Sequence, residues 1–188
     1  MQDFIRQTLR ENAAVNEKIN QRHIPRIIKI ARVIIKAYRQ KKKVVLFGNG
    51  GSAADAQHLA AEFVCRFKKN RRALEAVALT VNTSILTAVG NDYEFKDIFS
   101  RQVEAIVKKG DVVIGISTSG NSPNVLEGIK KAKQLGAITV GFSGQVGKLA
   151  HSVDIALAVP SDNTPRIQEM HITVGHIICE IVENELFK

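Results

Sequence analysis

The sequence predicts an α/β fold: a three-layer sandwich with a mainly parallel, doubly wound five-stranded sheet and an N-terminal helical extension. Three observations predict it. Five short apolar runs recur along the chain: KVVLFG at 43–48, AVALT at 76–80, VVIGIS at 112–117, ITVGF at 138–142 and DIALAV at 154–159. Each is bounded by Gly, Ser, Asn or Pro and is apolar without strict alternation, as suits strands covered on both faces. Segments of helical periodicity lie between them, and such alternation of strand and helix favours parallel pairing through right-handed crossovers.

The elements follow in order. Apolar positions at helical spacing predict helices over 3–18 and 24–40, the second including Ile27, Ile28, Ala31, Ile34, Ile35 and Tyr38. Pro25 suits the start of that second helix, where a missing N–H costs nothing. The first strand follows at 43–48, then a helix over 52–68. The 76–80 strand leads to helices over about 82–89 and 94–108. The 112–117 strand leads to a helix over 122–135. Strands at 138–142 and 154–159 precede a closing helix over about 165–187. No internal repeat or low-complexity segment divides the chain, so residues 1–188 are expected to form one domain. Residues 1–40 contain no strand and are expected to pack on the domain or on a partner subunit.

Composition excludes several classes. With 188 residues, 45% of them hydrophobic and 24% charged, the chain can bury a full core without disulfide staples. Cys65 and Cys179 lie far apart among apolar residues, which predicts two reduced, buried thiols. The N-terminus lacks the pattern of a signal peptide, and no apolar stretch approaches a membrane span. A cytoplasmic location is the expectation. Basic residues number 27 against 18 acidic ones, a net charge of +9. They concentrate in Lys41-Lys42-Lys43 and in Lys68-Lys69 with Arg71-Arg72. The chain has no Trp and only two Tyr, and neither run holds an aromatic residue, so a nucleic-acid surface is poorly supported. Cations at helix ends and turns explain both runs, and their field would draw in a small phosphorylated substrate.

Two strand ends carry the chemistry. The first strand exits through Gly48-Asn49-Gly50-Gly51 into a helix at Ser52. Glycines let backbone approach a ligand, and a helix N-terminus favours anions. Ser52 is expected to cap that helix, with Asp55 completing a capping box. Neither a Walker motif nor a dinucleotide fingerprint is present. The third strand ends in Ser117-Thr118-Ser119-Gly120-Asn121-Ser122, four hydroxyls in six residues. One cap needs one hydroxyl, so this loop is expected to seat a phosphate.

Two helices add ionisable groups. His58 and Glu62 are four apart and share a helix face, a spacing that serves either an ion pair or two metal ligands. In the last helix, Gln168, Glu169, His171 and His176 occupy the first half. Gln168 and His176 are eight apart, about 12 Å along an ideal helix. One small ligand is hard to reach from both, so either one of them belongs elsewhere or two copies of the helix from different subunits contribute.

Taken together, GNGGSAADAQH with AAEF, then VGND, ISTSGNS and RIQEMH with GH, resemble the sugar isomerase (SIS) domain family, and within it the phosphoheptose isomerases. The resemblance spans almost the whole chain. It implies a parallel five-stranded sheet between helices, and a homotetramer with active sites at subunit interfaces. It implies interconversion of sedoheptulose 7-phosphate and D-glycero-D-manno-heptose 7-phosphate, the first step toward ADP- or GDP-heptose. Position by position, it implies a phosphate seat of Ser117, Thr118, Ser119 and Ser122, with Ser52 close by. Asn49, Gly50, Gly51, Asn91 and Asp92 would contact the sugar. Glu62 would be the catalytic carboxylate and His176 the catalytic histidine. His58, Glu62, Gln168 and His176 match ligands of a zinc ion found in part of the family. No role follows for His171 beyond a structural or supporting one. Pro165-Arg166 before Gln168 is a local variation. Some SIS proteins are non-catalytic, including a group that associates with a bacterial replication initiator. That group lacks the carboxylate at position 62, which this chain keeps, so the resemblance favours the enzyme.

Overall fold

Each of the five apolar runs forms a strand. In the computed structural model, which describes residues 1–187, they are β1 (Val44–Gly48), β2 (Ala76–Ala78), β3 (Val112–Ser117), β4 (Ile138–Ser143) and β5 (Ile155–Ala158). All pairs are parallel and the order is β2-β1-β3-β4-β5. Every residue of β1 and β3 is buried, which is why both lack alternation. The chain steps from β1 outward to β2 and then back across to β3. The direction of winding therefore switches between β1 and β3, where ligands bind in open α/β sheets.

Side chains alternate between two cores. On one face Leu46, Ile114, Ile116 and Phe142 pack under α1 (Gln2–Arg39), α2 (Gly51–Val64) and α7 (Thr164–Leu186). On the other, Val45, Phe47 and Val113 pack under α3 (Thr83–Asp92), α4 (Ser100–Ile106), α5 (Pro123–Gln134) and α6 (Leu149–Ser152). Phe47 stacks on Phe99 there, with ring centroids 4.9 Å apart.

Several local expectations are corrected. The two expected N-terminal helices are one, with Pro25 inside it. A proline there forfeits one helical hydrogen bond. The buried face nevertheless runs straight through, from Val15, Ile19 and His23 to Ile27, Ile30 and Ile34, and packs along α7. Burial on both sides of the proline outweighs the lost bond. The expected helix over 94–108 is a 3₁₀ turn at Phe95–Asp97 followed by α4. The short α6 has no counterpart among the expected elements. The expected helix over 52–68 ends at Val64, and Cys65, its C-terminal cap, is exposed rather than buried. Cys179 is buried and unpaired as expected, and burial pushes its thiol up to about 12.

Candidate functional site

Pairing of β1 with β3 sets Gly48 opposite Ile116, so the two motif loops leave the sheet side by side. Gly48 has no alternative there, because a Cβ would come within 2.8 Å of the Ile116 carbonyl. Gly50 has φ +54 and is the N-terminal cap of α2. The expected Ser52 cap is therefore corrected. The Asn49 carbonyl accepts from the Ser52 N–H at 2.9 Å, and the Ser52 side chain is buried inside the first turn. The expected capping box is absent too. The Asp55 Oδ2 is buried without a partner. Burial pushes this carboxyl up to about 6, against the opposing pull of His58.

The β3–α5 loop gathers its hydroxyls. The Ser117 Oγ lies 2.9 Å from the Ser122 Oγ and 3.4 Å from the Ser119 Oγ. Ser119 accepts from the Asn121 N–H at 3.2 Å. Ser122 stands at the cap position of α5, yet its side chain bonds no helical N–H. These hydroxyls face one another instead of capping the helix, beside the open N-terminus of α5. That arrangement can accept a dianion.

The two loops are joined by a residue that sequence reasoning missed. Asn49 and Asn124 donate to each other's side-chain oxygen, both bonds 2.8 Å. Asn124 is buried, and its oxygen also accepts from the Val125 N–H. Its position directly after Ser122-Pro123 was the available signal.

The second cluster lies along α2 and α7. His58 Nε2 lies 3.2 Å from Glu62 Oε1 and 2.8 Å from His176 Nε2. The ligand atoms of all three lie within 4.8 Å of one another. One proton on His58 Nε2 cannot satisfy both neighbours fully. If His176 donates instead, a His58 lone pair faces the Glu62 oxygen. Three acceptor-capable atoms thus converge with too few protons, a donor set that suits a shared proton or a divalent ion. The residue types are ordinary zinc ligands. Gln168 lies elsewhere within this chain: a Cβ on Gly51 would collide with its amide. Gly51 opens α2, and His58 and Glu62 sit about two and three turns further along. Within one chain, Gln168 therefore meets the start of α2 while His176 meets His58 further along it.

The remaining site candidates are simply placed. Asn91 and Asp92 end α3 exposed, and the Asn91 amide donates to Asp92 Oδ1 at 2.8 Å. His171 is fully buried beside Phe142, and its Nε2–H donates to the Ser143 carbonyl at 3.1 Å. Burial lowers this imidazole to about 4, although the Ser143 bond opposes the shift. Its place is in the core. No helix among the described residues is long and apolar enough to cross a membrane.

One basic run departs from a solvated helix end. Glu183, in α7, is buried and accepts from the backbone N–H groups of Phe67, Lys68 and Lys69 at 3.0, 2.7 and 2.8 Å. The Arg71 Nε donates to it at 2.7 Å. Burial alone would raise this carboxyl, but the three N–H groups and Arg71 hold it down at about 2. Arg71 also donates to the carbonyls of Glu62 and Phe63, so it does sit at a helix C-terminus, but as a buried clasp.

The comparisons agree with this geometry. Residues 9–144 match the SIS domain family model. A phosphoheptose isomerase from Clostridium acetobutylicum is 54% identical, the match covering 100% of this chain and 97% of that one. One from Aquifex aeolicus is also 54% identical, covering 97% and 96%. The solved structure of phosphoheptose isomerase GmhA from Neisseria gonorrhoeae superposes with a TM-score of 0.93 at 38% identity, covering 97% of this chain and 98% of that one. That of a phosphoheptose isomerase from Francisella tularensis gives 0.94 at 33%, covering 97% of each. With its sheet order, its paired loops and these full-length relatives, the chain belongs to the SIS domain family and, within it, to the phosphoheptose isomerases.

Proposed function

We propose that this chain is an aldose–ketose isomerase that interconverts sedoheptulose 7-phosphate and D-glycero-D-manno-heptose 7-phosphate, the first step of ADP- or GDP-heptose synthesis. The convergence of Glu62 on His58 and His176 carries the reading, because isomerisation by proton transfer needs a base beside a group that steadies developing oxyanion charge.

The chemistry follows from the residues. The hydroxyls of Ser117, Thr118, Ser119 and Ser122 hold the phosphate, with Ser52 behind the adjoining loop. Fixing that remote group orients the reacting end. Asn49, Gly50, Gly51, Asn91, Asp92 and Gln168 contact the sugar. The Glu62 carboxylate takes a proton from the ketose C1, and the C1–H electron pair becomes the C1–C2 double bond of an enediolate. His176 donates to the oxygen that gains charge. Glu62 returns the proton to C2, and His176, having given its proton to the C2 oxygen, takes the C1 hydroxyl proton, so that the O1–H electron pair becomes the C1 carbonyl of the aldose. His58, Glu62 and His176, with Gln168 supplied by another subunit, would hold a zinc ion. When bound, zinc would polarise the substrate's oxygens.

A homotetramer with interfacial sites is supported by what the chain leaves uncovered. Phe4, Ile5, Leu9, Ile24 and Ile28 are exposed along α1, and Ile177 along α7. Around α3, Val81, Ile85, Tyr93 and Phe95 are exposed, and only Val89 of that helix is buried. Apolar patches of this kind mark association surfaces. The free thiols of Cys65 and Cys179 support a cytoplasmic location.

The deciding experiment is turnover of sedoheptulose 7-phosphate by the purified protein, with and without added zinc, beside Glu62→Gln. Turnover in the wild type and its loss in the variant are expected. A folded, tetrameric wild type inactive under both conditions would overturn the enzymatic reading. Retained turnover in Glu62→Gln would remove Glu62 as the base.

A further inference from the structure

The run from Arg66 to Arg72 has no part in the chemistry above, yet its backbone and Arg71 enclose a buried carboxylate. The acceptor and its donors lie 112 to 116 residues apart in the sequence. Glu183 in α7 is saturated by three consecutive backbone N–H groups, at residues 67–69, and by the Arg71 Nε. Both Arg71 and Glu183 side chains are 2% exposed. The same guanidinium reaches back to α2. Nη2 donates to the Glu62 carbonyl at 2.8 Å, and Nη1 to the Phe63 carbonyl at 2.9 Å. Those carbonyls belong to the last turn of α2, which has no further helical N–H to bond them.

We infer that Arg71 and Glu183 are positioning residues: together they fix the turn of α2 that carries Glu62 against the helix that carries His176. This rests on the functional reading above, in which Glu62 is the base and His176 its partner. The geometry is direct. Arg71 bonds the main chain of Glu62 itself, and its counter-charge sits on α7, seven residues and about two helical turns beyond His176. The planar fork of an arginine can serve a carboxylate and two carbonyls at once, whereas a lysine amine cannot do so with the same geometry. An ordinary helix end would need only water or a glycine cap. Here a buried ion pair is used instead, and the backbone it grips is that of the candidate base. Displacements of about 1 Å at a catalytic group cost on the order of a hundredfold in rate, so such a clasp matters for turnover beyond its effect on stability.

The test compares Glu183→Gln and Arg71→Lys with wild type, far below the unfolding transition of each, after circular dichroism and sedimentation show native fold and assembly. Wild-type turnover of sedoheptulose 7-phosphate is measured first, and its absence would overturn the functional reading rather than the clasp. The variants are expected to lose tenfold or more in kcat. KM, and inhibition by inorganic phosphate, should stay within about twofold, because the phosphate loop lies on other elements. The imidazole NMR signals of His58 and His176 should move in the variants, and this readout does not depend on activity. Folded variants with wild-type kcat and unmoved imidazole signals would overturn the proposal. Equal losses of kcat and phosphate affinity would also overturn it, as they would show general loosening. If Glu183→Gln does not fold, Arg71→Lys answers the same question, since it keeps the charge opposite Glu183 and loses only the fork.

Discussion

Asn49 and Asn124 clasp each other amide to amide, with both hydrogen bonds at 2.8 Å, and so tie the loop after β1 to the first turn of the helix after β3. The pair bridges the point where the sheet reverses its winding. It fixes the spacing between the glycine turn and the hydroxyl cradle.

Removing one partner leaves the other amide partly buried and unpaired, which costs about 1–3 kcal/mol. Asn124→Ala is therefore expected to lower the unfolding midpoint by several degrees, at about 2–4 °C per kcal/mol for a chain of this size. It should also raise KM for the sugar phosphate more than it lowers kcat, because the loops drift apart while Glu62 and His176 stay in place. Thermal unfolding beside steady-state kinetics checks both. A variant with unchanged KM would show that loop spacing does not control substrate binding.

The hydroxyl cradle gives a second expectation. Ser117, Ser119 and Ser122 bond mainly to one another, and neither Ser119 nor Ser122 caps α5. Hydrogen bonds to a charged group are worth about 1.5–3 kcal/mol each. Ser119→Ala with Ser122→Ala is expected to raise the substrate requirement by about a hundredfold or more, since each 1.4 kcal/mol is tenfold. Stability should change little. Calorimetric titration with inorganic phosphate isolates this effect from the chemistry, and unchanged affinity would sink the phosphate-seat assignment.

What the sequence shows and hides follows physical lines. Val44–Phe47 and Val112–Ile116 announce central strands because burial on both faces leaves no polar position to blur the run. The hydroxyls of 117–122 stand out because their number exceeds any capping need, and Ser117, Ser119 and Ser122 do gather rather than cap α5. Other features depend on partners far away in sequence. Arg71 and Glu183 are 112 residues apart, and a surface-like run such as KKNRR gives no sign that its backbone wraps a buried carboxylate. Ser52 has the chemistry of a cap, but the positive φ of Gly50 moves the helix start two residues earlier. Pro25 is a local stop signal that the continuous apolar face of α1 overrides. The split between Gln168 and His176 was legible from helical rise alone, whereas the contact of Gln168 with Gly51 was not.

Two buried groups set an acid response with a definite sign. His171 is lowered from 6.5 to about 4, chiefly by burial. Its folded form binds a proton less readily than its unfolded form, so stability falls as pH drops from about 6.5 toward 4. Glu183 is depressed from 4.5 to about 2. Its contribution is present above about 4.5 and is lost as pH falls toward 2. Each shift corresponds to about 3 kcal/mol at its limit. Asp55, raised to about 6 by burial, acts with the opposite sign between about 6 and 3.8 and offsets much of the His171 loss, so the His171 contribution is read as the difference between wild type and His171→Gln in denaturant unfolding from pH 8 to 3. The variant is expected to gain stability relative to wild type as pH falls from about 6.5 to 4, and two parallel profiles would mean that His171 does not contribute there.

Two glycines on the α2–α7 contact should respond oppositely to the same substitution. At Gly175 a new Cβ would lie 2.6 Å from a terminal methyl carbon of Leu59, and Leu59 is itself buried and unable to retreat. Overpacking of this kind costs about 1–3 kcal/mol, so Gly175→Ala is expected to lower the melting temperature and to separate His58 from His176 across the same contact. At Gly51 the new Cβ would meet only the amide end of Gln168, a flexible side chain. Backbone φ at Gly51 is not in the left-handed region, and alanine is favoured over glycine in a helix by up to about 1 kcal/mol. Gly51→Ala is therefore expected to keep or slightly raise the melting temperature while it turns Gln168 out of place. If Gln168 contacts the sugar as proposed, activity falls in a protein that is no less stable. Full activity in Gly51→Ala would instead free Gln168 from any role that needs its position beside Gly51. Melting curves and turnover measured on the two variants side by side distinguish a packing glycine from a site glycine.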